Sequence, residues 1–390
     1  MPGRSPSPQA PDDRVVVRVH GTTDVGLTRE HNEDSFLVAD LELGAQVDFT
    51  DGSHVLPLGA HGLLFAVADG MGGAASGELA SSMATTELLE ELRGRWRASP
   101  PTIGLFAELL RDAAVAANRK INEHAREHAE HRGMGTTLTA AGLLHDHLYL
   151  IQVGDSRAYL VRDGIAQQIT KDQSLMQRLI DAGEMTPEEA EVSERRNIIL
   201  QALGPEASVT VDLTQQQIRR GDVLVLCSDG LSGQVRPHEI AAIAGETPNV
   251  RVICERLVAL ANDRGGPDNV TVVTARFEGG GLDRVHGSDR VGYTAFPLRG
   301  TLHEMLTPPT GSVVVGYRTS GGMPAVQRAT PARSQVFLEM ERSRTPGSSP
   351  MVGKRASAAD DAPSPMRTVF FWLTLVAFGG GAVAAWIYFR

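Results

Sequence analysis

The chain has 390 residues, 42% of them hydrophobic and 22% charged, which suits one large or two modest globular domains with a sizeable core. A formal net charge of -10 and the lack of a long basic stripe argue against a general nucleic-acid binder. Its two cysteines, Cys227 and Cys254, cannot build a disulfide framework; they fit a reducing compartment, as buried thiols in apolar surroundings.

Residues 1–14 begin MPGRSPSPQAPDD, without an apolar core, and read as a short disordered leader, not a secretory signal. From residue 15 to about 278 the apolar pattern is dense, as expected of one folded domain. Early in it "TREHNEDSF" sets Arg29, Glu33 and Asp34 just ahead of an apolar run. "GLLFAVADG" then reads as a strand that ends in Asp69 and turns through glycines. A strand-end aspartate costs little when solvated. It gains as a ligand, because the strand fixes it and glycine lets a partner approach the backbone.

Two long helices are predicted over roughly 77–97 and 105–131, broken by "SPP" at 99–101. "LYLIQVGDSRAYLVRDGIAQQIT" follows, with Asp163-Gly164 between extended runs marking an antiparallel hairpin. "DVLVLCSDG" and "NVTVVTARF" are further strands, with shorter helices after Pro237 and over Val250 to Asn262. Strands grouped with paired helices predict an α+β layered domain, not a regular βαβ alternation.

After residue 278 the texture becomes rich in Gly, Pro, Ser and Thr. Residues 279–366 cannot bury enough apolar surface to offset their ordering entropy and read as a linker, with "SQVFLEMERS" a candidate docking helix within it. Residues 367–390 carry the uncharged run "VFFWLTLVAFGGGAVAAWIYF" at 369–389, long enough to span a bilayer. Trp372 lies near one end of it, and Trp386 and Tyr388 near the other. Lys354, Arg355 and Arg367 precede the run, so the expectation is a single-pass tail anchor, one C-terminal transmembrane helix, with the upstream chain in the cytoplasm.

Four carboxylates stand at the ends of four apolar strands: Asp69, Asp155 after "LIQVG", Asp229 after "VLVLCS", and Asp268 just before "VTVV". A solvated turn residue accounts for any one of them. All four, with the Arg29–Glu33–Asp34 cluster, predict convergence on one small volume, where like charges need compensation. Divalent cations supply it, and oxygen-only ligands select Mg²⁺ or Mn²⁺ over Zn²⁺.

Taken in order over about residues 21–277, "TDVGLTREHNEDS", "VADGMGGAASGELAS", "GMGTTL", "VGDSRAYLVRDG", "LCSDGLS" and "GGPDNVTVV" resemble the PP2C-type (PPM) metal-dependent serine/threonine protein phosphatases in their bacterial form. The resemblance implies a central antiparallel β-sandwich flanked by pairs of helices. It implies a bridging ligand at Asp69, a backbone carbonyl ligand at Gly70, and Asp229 and Asp268 completing one ion. Glu33 would act through water, with Asp34 holding waters or a neighbouring ligand, while Asp155 with Asp229 would hold a third, weaker ion. Arg29 would clamp the substrate phosphate, since its fork suits two oxygens. The implied reaction is direct attack of a metal-bridging hydroxide on phosphoserine or phosphothreonine, opposing Hanks-type Ser/Thr kinases at the membrane. A phosphoprotein-docking module of the same fold is the alternative, and it predicts damaged ligands; none is damaged.

The chain departs from the family's pattern in two places. Met71 stands where many eukaryotic relatives carry a histidine proposed as general acid, so that role is unassigned. Asp172-Gln173-Ser174 stands where bacterial relatives often read "DHS", at the start of a segment, about 171–204, that looks like the family's flap. Cys227 and Cys254 lack the arginine six residues on that a cysteine phosphatase needs; Gly233 and Leu260 are there. His124, His128 and His131 have a spacing that permits a metal site, but read as a solvated polar face.

Overall fold

The computed structural model describes residues 14–97 and 102–297. The leader, the expected linker beyond 297, its candidate docking helix and the run at 369–389 lie outside these residues. Among the described residues no helix is long and apolar enough to cross a membrane.

Two antiparallel sheets face each other. One contains β1 (Val16–Asp24), β4 (His54–Pro57), β9 (Arg157–Arg162), β10 (Ile165–Gln168), β12 (Val223–Cys227) and β13 (Val270–Glu278), in the order β10-β9-β12-β13-β1-β4. The other contains β2 (Asp34–Asp40), β3 (Ala45–Gln46), β5 (Leu63–Met71), β7 (Leu138–Leu144), β8 (His147–Val153) and β11 (Asp212–Gln217), in the order β11-β8-β7-β5-β2-β3. A two-residue strand, β6 (Gly135–Thr136), pairs with the end of β5. The hairpin expected at Asp163-Gly164 joins β9 to β10, with both residues at positive φ as a tight two-residue turn requires.

Helices α1 (Ala74–Arg95) and α2 (Ile103–Glu127) cover the second sheet; α6 (Pro237–Glu246) and α7 (Val250–Asp263) cover the first. The central strands, such as β5, β7, β8 and β12, are therefore buried on both faces, which is why β5, β8 and β12 read as continuous apolar runs. Along β5, Leu64, Ala66 and Ala68 meet α1 and α2, while Leu63, Phe65 and Val67 fill the space between the sheets. Short side chains under the helices let them approach closely: a Cβ at Gly142 would fall 2.5 Å from the Phe106 ring. α1 begins three residues before the expected start, directly after Gly72 and Gly73, both at positive φ. α2 ends four residues early because His128 turns extended, and a 3-10 turn at Ala129–His131 leads back towards β6.

The domain continues past residue 278, where the sequence placed its edge. Leu282 is buried in the inter-sheet core, Arg219 pairs with Asp289 at 2.7 Å, and the backbone of 294–296 bonds to β11 through Gln215 N–H to Thr294 O and Phe296 N–H to Leu213 O. The segment's few apolar residues find pockets on a finished domain, an arrangement composition does not reveal.

Candidate metal centre

The predicted aspartates come together at one end of the sandwich. Antiparallel pairing sets Asp34 opposite Asp69, so these carboxylates are cross-strand neighbours. β12 and β13 run side by side, Cys227 opposite Val272, which brings Asp229, at the start of the short helix α5 (Asp229–Ser232), next to Asp268 just before β13. Asp155 follows β8 through Gly154 at positive φ. The ligand set is thus drawn from both sheets.

Burial dominates the electrostatics. It raises Asp34 and Asp155 from the ordinary aspartate range to about 7, with Asp229 adding repulsion to both. Asp69, half-buried as a residue, is raised strongly by burial and then by the charges of Asp34, Asp229, Asp155 and Asp268. Asp229 is raised by burial and by Asp268. Both oxygens of Asp34 and one of Asp155 are buried without a hydrogen-bond partner. The Ser228 and Thr271 hydroxyls ease the charge on Asp34 without bonding it in good geometry. Buried orphan acceptors in an all-oxygen cluster are the donor set that hard divalent cations use. Among the described residues, no three such side chains close around a single point, so the coordination would be completed by backbone oxygen and water.

Gly70 has a reason beyond carbonyl access. A Cβ there would lie 2.2 Å from Gly77 O and 2.5 Å from Glu33 O. Its N–H donates to Glu33 O at 3.1 Å, joining the two loops that carry the site. Glu33 is half-buried and raised by burial, with its carboxylate against Gly77. Arg29 stands half-exposed at the mouth, donating to Asp268 Oδ2 at 2.8 Å, which raises its own pKa. The phosphate clamp expected there is therefore parked against an expected metal ligand.

Several residues that hold the site carry no charge and were not singled out from the sequence. Asn269, 5% exposed, donates to Val25 O and His31 O at 2.9 Å each and accepts from Glu33 N–H at 2.8 Å, fixing the loop that bears Arg29. Thr137 Oγ1 accepts from Asp69 N–H at 2.9 Å and bonds Ser156 Oγ at 2.8 Å; Thr136 Oγ1 donates to Asp69 O at 2.9 Å. Ser81 Oγ donates to Glu33 O at 2.6 Å. The signal was present in "GMGTTL" and "PDN", since small hydroxyl and amide side chains beside strand-end aspartates are natural backbone partners.

Gln173 braces the Asp155 turn: its Oε1 accepts from Gly154 N–H at 3.1 Å and its Nε2 donates to Thr210 O at 3.2 Å. Arg157 grips Asp172 through Nε and a terminal nitrogen, the shortest contact 2.7 Å, tying β9 to the start of the predicted flap. Met71 ends β5 opposite Gly135 and offers no proton. Both cysteines are fully buried, and burial pushes their thiols up to about 12, so neither is a nucleophile at neutral pH. The three histidines are packed more closely than a solvated face requires: His124 Nε2 and His131 Nδ1 are 2.9 Å apart, and the His124 and His128 rings stack at 4.0 Å.

Comparison with known proteins bears on the family and the fold. The sequence pattern of the family described as Protein phosphatase 2C matches residues 51–266. The chain is 41% identical over 265 residues to the serine/threonine protein phosphatase PstP of Mycobacterium tuberculosis, covering 67% of this chain but 45% of that protein, so it spans under half the length of that relative. It is 34% identical over 255 residues to the serine/threonine phosphatase stp of Listeria monocytogenes, covering 64% of this chain and 92% of that one. The crystal structure of the PstP catalytic domain in complex with two manganese ions superposes with a TM-score of 0.54 at 38% identity, covering 68% of this chain and 99% of that one.

Proposed function

The chain belongs to the protein phosphatase 2C family, and from that premise we propose that it is a metal-dependent protein phosphatase acting on phosphoserine and phosphothreonine. The observation that carries this reading is the cluster of Asp34, Asp69, Asp155 and Asp229, raised by burial and mutual repulsion beside Asp268, with orphan oxygens on Asp34 and Asp155. Asp69, Asp229, Asp268 and the Gly70 carbonyl would hold two Mn²⁺ or Mg²⁺ ions, with Glu33 through water, and Asp155 with Asp229 a third, weaker one. The PstP catalytic domain in complex with two manganese ions supports a two-ion centre.

When bound, such ions supply Lewis-acid activation of water and neutralise charge on the phosphoryl group. The chain's own residues do the positioning. Arg29, at the mouth, exchanges its contact with Asp268 for the phosphate and offers two donors to two oxygens. Thr136, Thr137 and Asn269 hold Asp69 and the Arg29 loop, so little reorganisation is left for the reaction itself. Met71 carries no transferable proton, so it does not protonate the leaving oxygen, and that role stays unassigned among the chain's residues.

The same proposal includes attachment to the membrane through residues 369–389, with the phosphatase domain on the cytoplasmic side, and phosphorylated proteins including Hanks-type kinases as substrates. The uncharged length of that run and its preceding basic residues support the attachment; the family resemblance supports the substrates. The test is phosphate release from a phosphothreonine peptide by the full chain with EDTA, Mg²⁺ or Mn²⁺, beside Asp69→Asn and Asp229→Asn. Metal-dependent release that falls by a factor of at least about 100 in both variants is expected from the loss of a charge-stabilising ligand. Release that survives EDTA, or either substitution, overturns the proposal.

A further inference from the structure

A cavity of about 460 Å³ opens beside the metal centre, between the flap helices α3 (Leu175–Asp181) and α4 (Pro187–Glu191) on one side and α5 with the start of α6 on the other. Asp155 and Asp229 line its inner end. Met176, Ile180, Pro187 and Ala190 give it apolar walls. Three arginines line it, and two are committed: Arg157 to Asp172 at 2.7 Å and Arg236 to Glu191 at 2.5 Å. Arg196 is exposed, and among the described residues its guanidinium has no ion-pair or hydrogen-bond partner.

The flap around Arg196 also exposes apolar side chains that a free surface normally buries. Val192 is 81% exposed, Ile198 43% and Leu200 41%. Isolated exposed aliphatics need no explanation, but three within nine residues, in the segment that also supplies Glu191, Arg196 and Asn197 to the cavity lining, form a surface suited to a partner chain. An unpaired cation over apolar walls, next to a centre that binds phosphate, selects what enters beside the phosphorylated residue.

Resting on the phosphatase reading above, the geometry points to this cavity as a subsite for an acidic side chain of the substrate, flanking the phosphorylated residue, with Arg196 as its specificity-determining contact. A carboxylate entering there pairs with the Arg196 guanidinium, beside the apolar walls of Met176 and Ile180. A lysine or arginine would bring a second cation beside the Arg196 guanidinium.

The experiment uses the full chain with Mn²⁺ and two phosphothreonine peptides, identical except that aspartates near the phosphorylated residue in one are asparagines in the other. The small substrate p-nitrophenyl phosphate, which carries no side chain flanking its phosphate, is the control. Wild type is expected to show the lower KM for the aspartate peptide. Arg196→Gln raises that KM by about fivefold, the size of one well-placed exposed ion pair, and leaves kcat, the asparagine peptide and p-nitrophenyl phosphate unchanged. Arg196→Glu reverses the preference towards a peptide with lysines at the same places. Equal KM changes on both peptides, or no preference in wild type, overturn the subsite. Fluorescence anisotropy with the same peptides separates the two proposals: Arg196-dependent preference for the aspartate peptide on an inactive protein keeps the subsite and removes the phosphatase reading.

Discussion

Replacing Asn269 tests whether the active-site loop is held in place by one buried amide. Asn269→Ala removes donors to Val25 O and His31 O and the acceptor for Glu33 N–H, at 2.9, 2.9 and 2.8 Å. At 5% exposure, little water reaches the three backbone groups left behind. A net contribution of about 1 kcal/mol per hydrogen bond, and more where the partner stays buried, gives a destabilisation of about 3 kcal/mol. Asn269→Asp is a sharper probe: it keeps the acceptor for Glu33 but turns a carboxylate towards two carbonyl oxygens, so it should lose at least as much. Urea unfolding in EDTA reads the stability, and phosphopeptide turnover with Mn²⁺ reads the loop. Arg29 and Glu33 are released together, so kcat/KM should fall by about tenfold or more even where the protein is fully folded. A loss under about 1 kcal/mol with unchanged kcat/KM would show that the loop is held by other contacts.

Two further outcomes follow from the carboxylates and their surroundings. In EDTA, the folded state holds protons on Asp34 and Asp155 up to about pH 7, whereas unfolded aspartates release them near 3.8, so stability should fall as pH rises between those values and level off above about 7. Chemical denaturation at pH 5.5 and 8 checks this, and Mn²⁺ should stabilise more at pH 8, where it no longer competes with protons; a flat or rising profile in EDTA contradicts the burial argument. Gly77→Ala places a Cβ 1.9 Å from Glu33 Oε2 and 2.7 Å from its Cδ, so the carboxylate must swing aside. Turnover with Mn²⁺ should fall by about tenfold for a stability loss of about 1–3 kcal/mol, since the Cβ displaces the end of the Glu33 side chain and also crowds the Gly70 backbone carbon at 3.0 Å; unchanged kcat would remove Glu33 from the site.

What the sequence reveals here follows from how local each signal is. The strand-end aspartates are legible because each closes an apolar run, and the Asp163-Gly164 hairpin because its turn chemistry is complete in two residues. The layered architecture is legible from strands grouped with paired helices. Asn269, Thr137 and Ser81 are different: each acts through backbone groups distant in the chain, and nothing in a short polar side chain says which carbonyl it will meet. The boundary at residue 278 fails for a related reason. Leu282 and Phe296 are isolated apolar residues in a polar, glycine-rich stretch, and their pockets belong to the finished sandwich. Arg29 was read for its phosphate chemistry, and its pairing with Asp268 depends on loops joined only by the fold.

The division of the carboxylates between the two sheets makes the interior of the sandwich part of the chemistry. Asp34 and Asp69 ride on β2 and β5, while Asp229 and Asp268 ride on the ends of β12 and β13. The spacing across the centre is therefore set by the side chains between the layers, among them Phe65, Val67, Leu226 and Val273. Close-packed interiors transmit a change of one methylene as displacement. The hydrophobic filling behaves as a calibrated spacer, so a substitution that touches no ligand can still retune catalysis by altering how far apart the layers hold their charges.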